Sequence, residues 1–112
     1  MTAPRLNRKL VLEEAQRTPD GAGGSTLTWV ALGVLWARID PGSGRERAGE
    51  FVTVSTVPYR ITVRAAPEGA PSRPKPEQRL REGGRVFRIT AVTEEDAAGH
   101  YLTCFAQEEV PA

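Results

Sequence analysis

Hydrophobic positions in this chain recur mostly with period two. From Arg8 to Gln16, Leu10 and Leu12 share one face while Lys9, Val11 and Glu13 take the other, the pattern of a half-buried strand. Tyr59 to Ala65 alternates most cleanly, with Tyr59, Ile61 and Val63 inward and Arg60, Thr62 and Arg64 outward. Arg85 to Thr93 and His100 to Gln107 read as a closing hairpin around the polar run Glu94 to Gly99. Gln78 to Glu82 reads as a short polar approach to the Gly83-Gly84 turn. Pro67 to Pro76 holds four prolines and is excluded from helix interiors and central strands, so it is expected as a loop.

The segment Ser25 to Ile39 is too long for one regular strand of usual length. Trp29 and Trp36 stand at odd and even positions, so strict alternation sends them to opposite faces. A bulge at Gly33 would reset the alternation and is expected to put both indoles inside, Trp36 beside Leu10 or Leu12. Between this segment and the first strand lies Asp20-Gly21-Ala22-Gly23-Gly24, whose glycines supply the positive φ of a tight reversal. A phosphate-binding loop would lead into a helix, whereas this one leads into Thr- and Trp-rich β sequence, so a hairpin is predicted. After Pro41-Gly42-Ser43-Gly44, Arg45 to Thr56 has mixed character, charged at first and then β-prone in Phe51-Val52-Thr53-Val54. No long helix and no internal repeat is visible. About six short strands with Gly and Pro punctuation predict an all-β fold, a small antiparallel barrel or sandwich, and closure into a barrel removes exposed edges.

A chain of 112 residues is the size of one domain, residues 1–112, and leaves no room for a second core. Its formal net charge of +1 excludes a global field that would draw it to nucleic acid or anionic lipid. Thirteen of the fifteen basic residues are arginine, which either suits bidentate ion pairs at subunit interfaces or reflects a genome whose base composition favours arginine codons. No segment has the apolar core of a signal peptide or the length of a membrane span, so neither secretion nor a membrane partner is expected. The lone Cys104 cannot form an internal disulfide, in keeping with a reducing compartment.

Candidate chemistry is sparse. His100 and Cys104 share a strand face, but a structural zinc site needs about four ligands, so no metal is expected and Cys104 reads as a core residue. Ser25, Ser43, Ser55 and Ser72 have one histidine among them and no nucleophile elbow, so no catalytic residue and no cofactor is assigned. Glu94-Glu95-Asp96 lacks the spacing of a calcium loop and reads as a solvated turn. Arg60 and Arg64 beside Tyr59 are accounted for by a charged outer strand face.

The ordered set of pieces is more specific than any one of them. Leu6-x-x-Lys9-Leu10-x-Leu12, the Asp20-Gly21-x-Gly23-Gly24 turn, Trp29, Val34-x-Trp36-Ala37-Arg38, Pro41-x-Ser43-Gly44-Arg45-Glu46 and Gly84-Arg85-Val86-Phe87-x-Ile89 together resemble the head-tail joining (head-closure, or stopper) proteins of tailed bacteriophages and gene transfer agents. The resemblance runs from about Leu6 to Val110. It implies a compact antiparallel β-barrel with one long loop after the second strand, in some members carrying a short helix. It also implies a non-enzymatic virion protein, made in the bacterial cytoplasm, whose copies form a homo-oligomeric ring between portal and adaptor proteins above and tail proteins below. That ring extends the channel for packaged double-stranded DNA and retains the DNA until the tail attaches. In the family the long loop points into the channel. Gly44, Arg45 and Glu46 match the shared motif, and Arg47, Glu50, Phe51 and Val52 follow in the corresponding loop as candidate channel or interface residues. The alternative is a single-strand-binding barrel of the oligonucleotide-binding type, which needs a basic groove and several exposed aromatics.

Overall fold

The computed structural model describes residues 3–42 and 56–109. Among these residues six strands follow in order: β1 (Arg8–Pro19), β2 (Ser25–Pro41), β3 (Thr56–Arg64), β4 (Arg79–Glu82), β5 (Arg85–Glu94) and β6 (Tyr101–Glu109). All pairings are antiparallel, and the sheet closes on itself as a barrel in the order β1-β2-β3-β6-β5-β4. The all-β barrel expected from the sequence is therefore the fold. The long connection expected after β2, and the β-prone run Phe51 to Val54 within it, lie outside the described residues.

Inward positions on every strand meet in one core. Leu10 and Leu12, Ile61 and Val63, Leu80, Phe87, Ile89, Leu102 and Cys104 are fully inaccessible. Burying a side chain of this size stabilises by about 1.5–3 kcal/mol, so this interior row dominates the stability of the barrel. Phe87 is its largest fully buried side chain, with Tyr59 edge-on at 5.4 Å between ring centroids.

The segment Gln78 to Glu82 differs from its expected role as a turn approach: Arg79–Glu82 is a strand that closes the barrel between β1 and β5. Its one apolar residue, Leu80, is fully buried opposite Leu12 and Phe87. The lead-in is fixed by Gln78, whose backbone pairs with Ile89 and whose Oε1 accepts from the Lys75 N–H at 2.9 Å. Glu77 there takes a positive φ of 75°, a conformation costly outside glycine, and its N–H donates to the Ile89 carbonyl. A four-residue strand with charges on three sides of a single leucine carries little periodic signal, and only its two neighbours make it a strand.

Thr62, expected outward, does lie on the outer face, yet it is buried there. It pairs with Thr103, also buried, whose hydroxyl donates to Glu95 at 2.6 Å. The proline segment from Pro67 to Pro76 is a loop of turns, as expected.

Candidate assembly surface

The Asp20 to Gly24 reversal is built locally. The Asp20 carboxylate accepts from the N–H groups of Ala22 (2.8 Å) and Gly24 (3.1 Å), and Gly21 and Gly23 adopt φ of 82° and 87°. It joins β1 to β2 as a hairpin whose two strands pair from Arg8↔Ala37 to Pro19↔Ser25. Only the root of this hairpin belongs to the barrel wall, because β4 pairs with β1 at Val11 to Glu13 and β3 pairs with β2 at Ala37 to Pro41. The rest is a two-stranded arm, exposed from Gln16 through Thr28.

The bulge expected near Gly33 is present: Leu12 pairs with Gly33 and Glu13 with Ala31, leaving Leu32 as the extra residue. It does bring Trp29 and Trp36 to one face, but that face is the outer one. Trp36 pairs with Lys9 and is 54% exposed, so its predicted burial beside Leu10 or Leu12 is incorrect. Inward register on β2 belongs to Leu35, Ala37 and Ile39. Ala37, fully buried, takes the inward place opposite Arg8.

Trp29 instead packs at the root of the arm, under Arg79, whose guanidinium stands 4.1 Å from the ring centroid. Arg79 Nε also donates to Glu13 Oε1 at 2.6 Å, and Arg81 Nε donates to Glu13 Oε2 at 2.9 Å. Burial disfavours the charge on Glu13, which is only 5% exposed, but the two guanidinium groups outweigh it and hold the carboxyl below its ordinary range. This clamp ties β1 to β4 on the outer wall, where the arm leaves the barrel.

A second ionic cluster closes the opposite end, where β2 runs out toward β3. Arg8 binds Glu82 through two bonds (2.7 and 2.6 Å), and Arg85 binds Glu108 through two more (2.7 and 3.0 Å). Arg85 also stands over the Phe87 and Tyr59 rings. The bond from Arg8 holds the Glu82 carboxyl low and that from Arg85 does the same for Glu108, while both guanidinium groups are pushed up. Bidentate pairs of this kind are what the arginine excess supplies.

Of these ion-pair residues only Arg85 stood in a singled-out motif, and none was expected to form an ion pair. Arg79 and Arg81 flank Leu80 in a stretch too short to show a pattern, and pairing them with Glu13 needs the β1–β4 register. The candidate loop residues Arg45, Glu46, Arg47, Glu50, Phe51 and Val52 lie outside the described residues. Cys104 is buried, which pushes its thiol up to about 12, and His100 is on the surface. Among the described residues no three His, Cys, Asp or Glu side chains are grouped to hold a metal ion, and no helix is long and apolar enough to cross a membrane.

Comparison with known proteins bears on this geometry. A family model described as phage head completion protein matches residues 1–109. A chain in a solved structure described as the virion of a native gene transfer agent particle is 65% identical, with a TM-score of 0.81, covering 98% of this chain and all of that one. The solution structure of protein SF1141 from Shigella flexneri 2a is 24% identical over 96% of each chain, with a TM-score of 0.67, a likeness of fold. No curated protein matches the chain.

Proposed function

Because this chain belongs to the phage head completion protein family, we propose that it is a structural head-completion subunit whose copies form a ring between portal and adaptor proteins and the tail. The ring extends the channel for double-stranded DNA and retains the packaged genome. The observation that carries this reading is the 65% identity, over essentially the whole of both chains, to a component of a gene transfer agent virion. The protein's work is then assembly geometry without turnover. A closed ring of identical subunits needs two different complementary patches on each copy.

The connection from Gly42 to Thr56 leaves and re-enters the barrel at the end closed by the Arg8–Glu82 and Arg85–Glu108 pairs. Arg45, Glu46, Arg47, Glu50, Phe51 and Val52 belong to this connection, and we assign it to the channel or to a neighbouring subunit. The oligonucleotide-binding alternative is not favoured. Trp36 and Phe105 are exposed on strands separated by β3, and Trp29 is covered by Arg79, so among the described residues no continuous stacking platform is presented. With a net charge of +1, the isolated subunit should bind DNA no tighter than about 10⁻⁴ to 10⁻⁶ M.

Deletion of Arg47 to Val54 tests the reading. The purified variant should melt cooperatively as a barrel, while particles carrying it lose DNA retention or tail attachment. Full, tailed particles produced in normal number would overturn the role of the loop, and normal particles from cells lacking the whole protein would overturn the head-completion role.

A further inference from the structure

Among the described residues the β1–β2 arm carries two edges without a backbone partner beyond the arm itself. Along its β2 side, Ser25 to Trp36 have no backbone partner other than β1 among the described residues, because β3 begins pairing only at Ala37. Along its β1 side, Glu14 to Pro19 likewise lie beyond the last β4 pairing at Glu13. A lone two-stranded ribbon is marginally stable in water. Soluble proteins usually protect such edges with lysine, proline or inward charges. The stretch Ser25 to Trp36 contains no charged residue and no proline, is rich in Thr, Val, Leu and Trp, and its Leu27 is 48% exposed. Its composition is that of a strand meant to be paired.

We infer that the free edge of β2 in the arm, centred on Ser25 to Ala31, is a strand-pairing site for the free β1 edge, Glu14 to Pro19, of a second copy of this chain. The inference rests on the ring reading above. Both edges belong to the same ribbon and differ from each other, so the contact is head-to-tail, the kind that closes rings. When arms stand side by side pointing the same way, the β2 of one copy runs antiparallel to the β1 of the next. The ladder inside each arm then continues into its neighbour. Chemistry supports a second copy as the occupant, because the β1 edge brings the charges of Glu14 and Arg17 to an edge that has none, avoiding like-charge opposition.

Amide hydrogen exchange on the isolated subunit and on purified particles tests the pairing, together with a photoreactive benzoyl-phenylalanine placed at Leu27 to identify the neighbour. Amides of Ser25 to Ala31 that exchange freely in the subunit should slow on the order of 100-fold in particles. The photoproduct should join Leu27 to the Glu14 to Pro19 peptide of another copy, shown by mixing isotopically light and heavy subunits. Successive N–H groups of a strand point to opposite edges, so one of Leu27→Pro and Thr28→Pro spares the β1 ladder. That variant should keep the wild-type melting temperature and still incorporate into particles about tenfold less well, the loss expected of a missing interfacial ladder bond. Unchanged exchange, a photoproduct with a different protein, or normal incorporation of the ladder-sparing variant would each overturn the inference. Copy number separates this from the ring reading: many copies per particle with an unprotected β2 edge sinks only the pairing, whereas a single copy per particle sinks the ring.

Discussion

Phe87 and Trp36 are both large aromatics on strands of the barrel wall, yet they end on opposite sides of it. Phe87 is fully buried against Tyr59, and Trp36 is 54% exposed beside Lys9. Hydrophobicity does not separate them, since both are favoured in a core. Register does: one face of a strand is inside, and a side chain one step out of phase is outside whatever its size. The arm and the barrel repeat the contrast on a larger scale. The barrel hides its edges by closure, and the edges of the arm have no backbone partner outside the arm among the described residues.

The largest expected effect breaks the inner side of the comparison. Phe87→Ala should lower stability by about 3–5 kcal/mol in chemical unfolding of the isolated subunit, through lost burial and the cavity left beneath Tyr59. A loss under about 1 kcal/mol would mean that the barrel collapses around the gap or that Phe87 adds little to the core.

Next comes the clamp at the root of the arm. Glu13→Ala leaves Arg79 and Arg81 without their carboxylate and should cost about 1–3 kcal/mol. Exchange in the arm should rise along with it, because Trp29 loses the guanidinium that Glu13 holds over its ring.

Acid offers a graded version of the same test. Glu13, Glu82 and Glu108 all have folded pKa values below the unfolded value of about 4.3. Their contribution is complete above that value and is lost as pH falls through the lower folded values. A thermal melting series should therefore be flat from neutrality to about pH 5 and fall steeply below about pH 4. Glu13→Gln should make that fall shallower, and an unchanged slope would remove Glu13 from the account.

The smallest effect belongs to the outer wall. Trp36→Ala should change the stability of the subunit by no more than about 0.5–1 kcal/mol, as for a surface position. A loss comparable with that of Phe87→Ala would show that the exposed indole carries core packing.

Sequence alone determined the strands whose alternation is strong and the turns whose glycines admit few conformations. Leu10 and Leu12, Ile61 and Val63, the Asp20 to Gly24 reversal and the β5–β6 hairpin are local consequences of period and turn chemistry, legible without a partner strand. The bulge near Gly33 was legible too, as a mismatch between the two tryptophans. Which side of the wall they would share was not. Alternation fixes which residues face together and leaves open which face is inside, and that choice is made by the other strands once Ala37, opposite Arg8, fills the interior position. The ion pairs Glu13–Arg79, Arg8–Glu82 and Arg85–Glu108 join residues far apart in the chain and exist only through strand register. The strand nature of Arg79–Glu82 likewise came from its neighbours, because four residues around one leucine carry too little pattern to outweigh the glycine turn that follows. Closure of β1 on β4 is a long-range condition that no local window contains, and it decided the strand at Arg79–Glu82 and the pairs Glu13–Arg79 and Arg8–Glu82, while the register of the β5–β6 hairpin decided Arg85–Glu108.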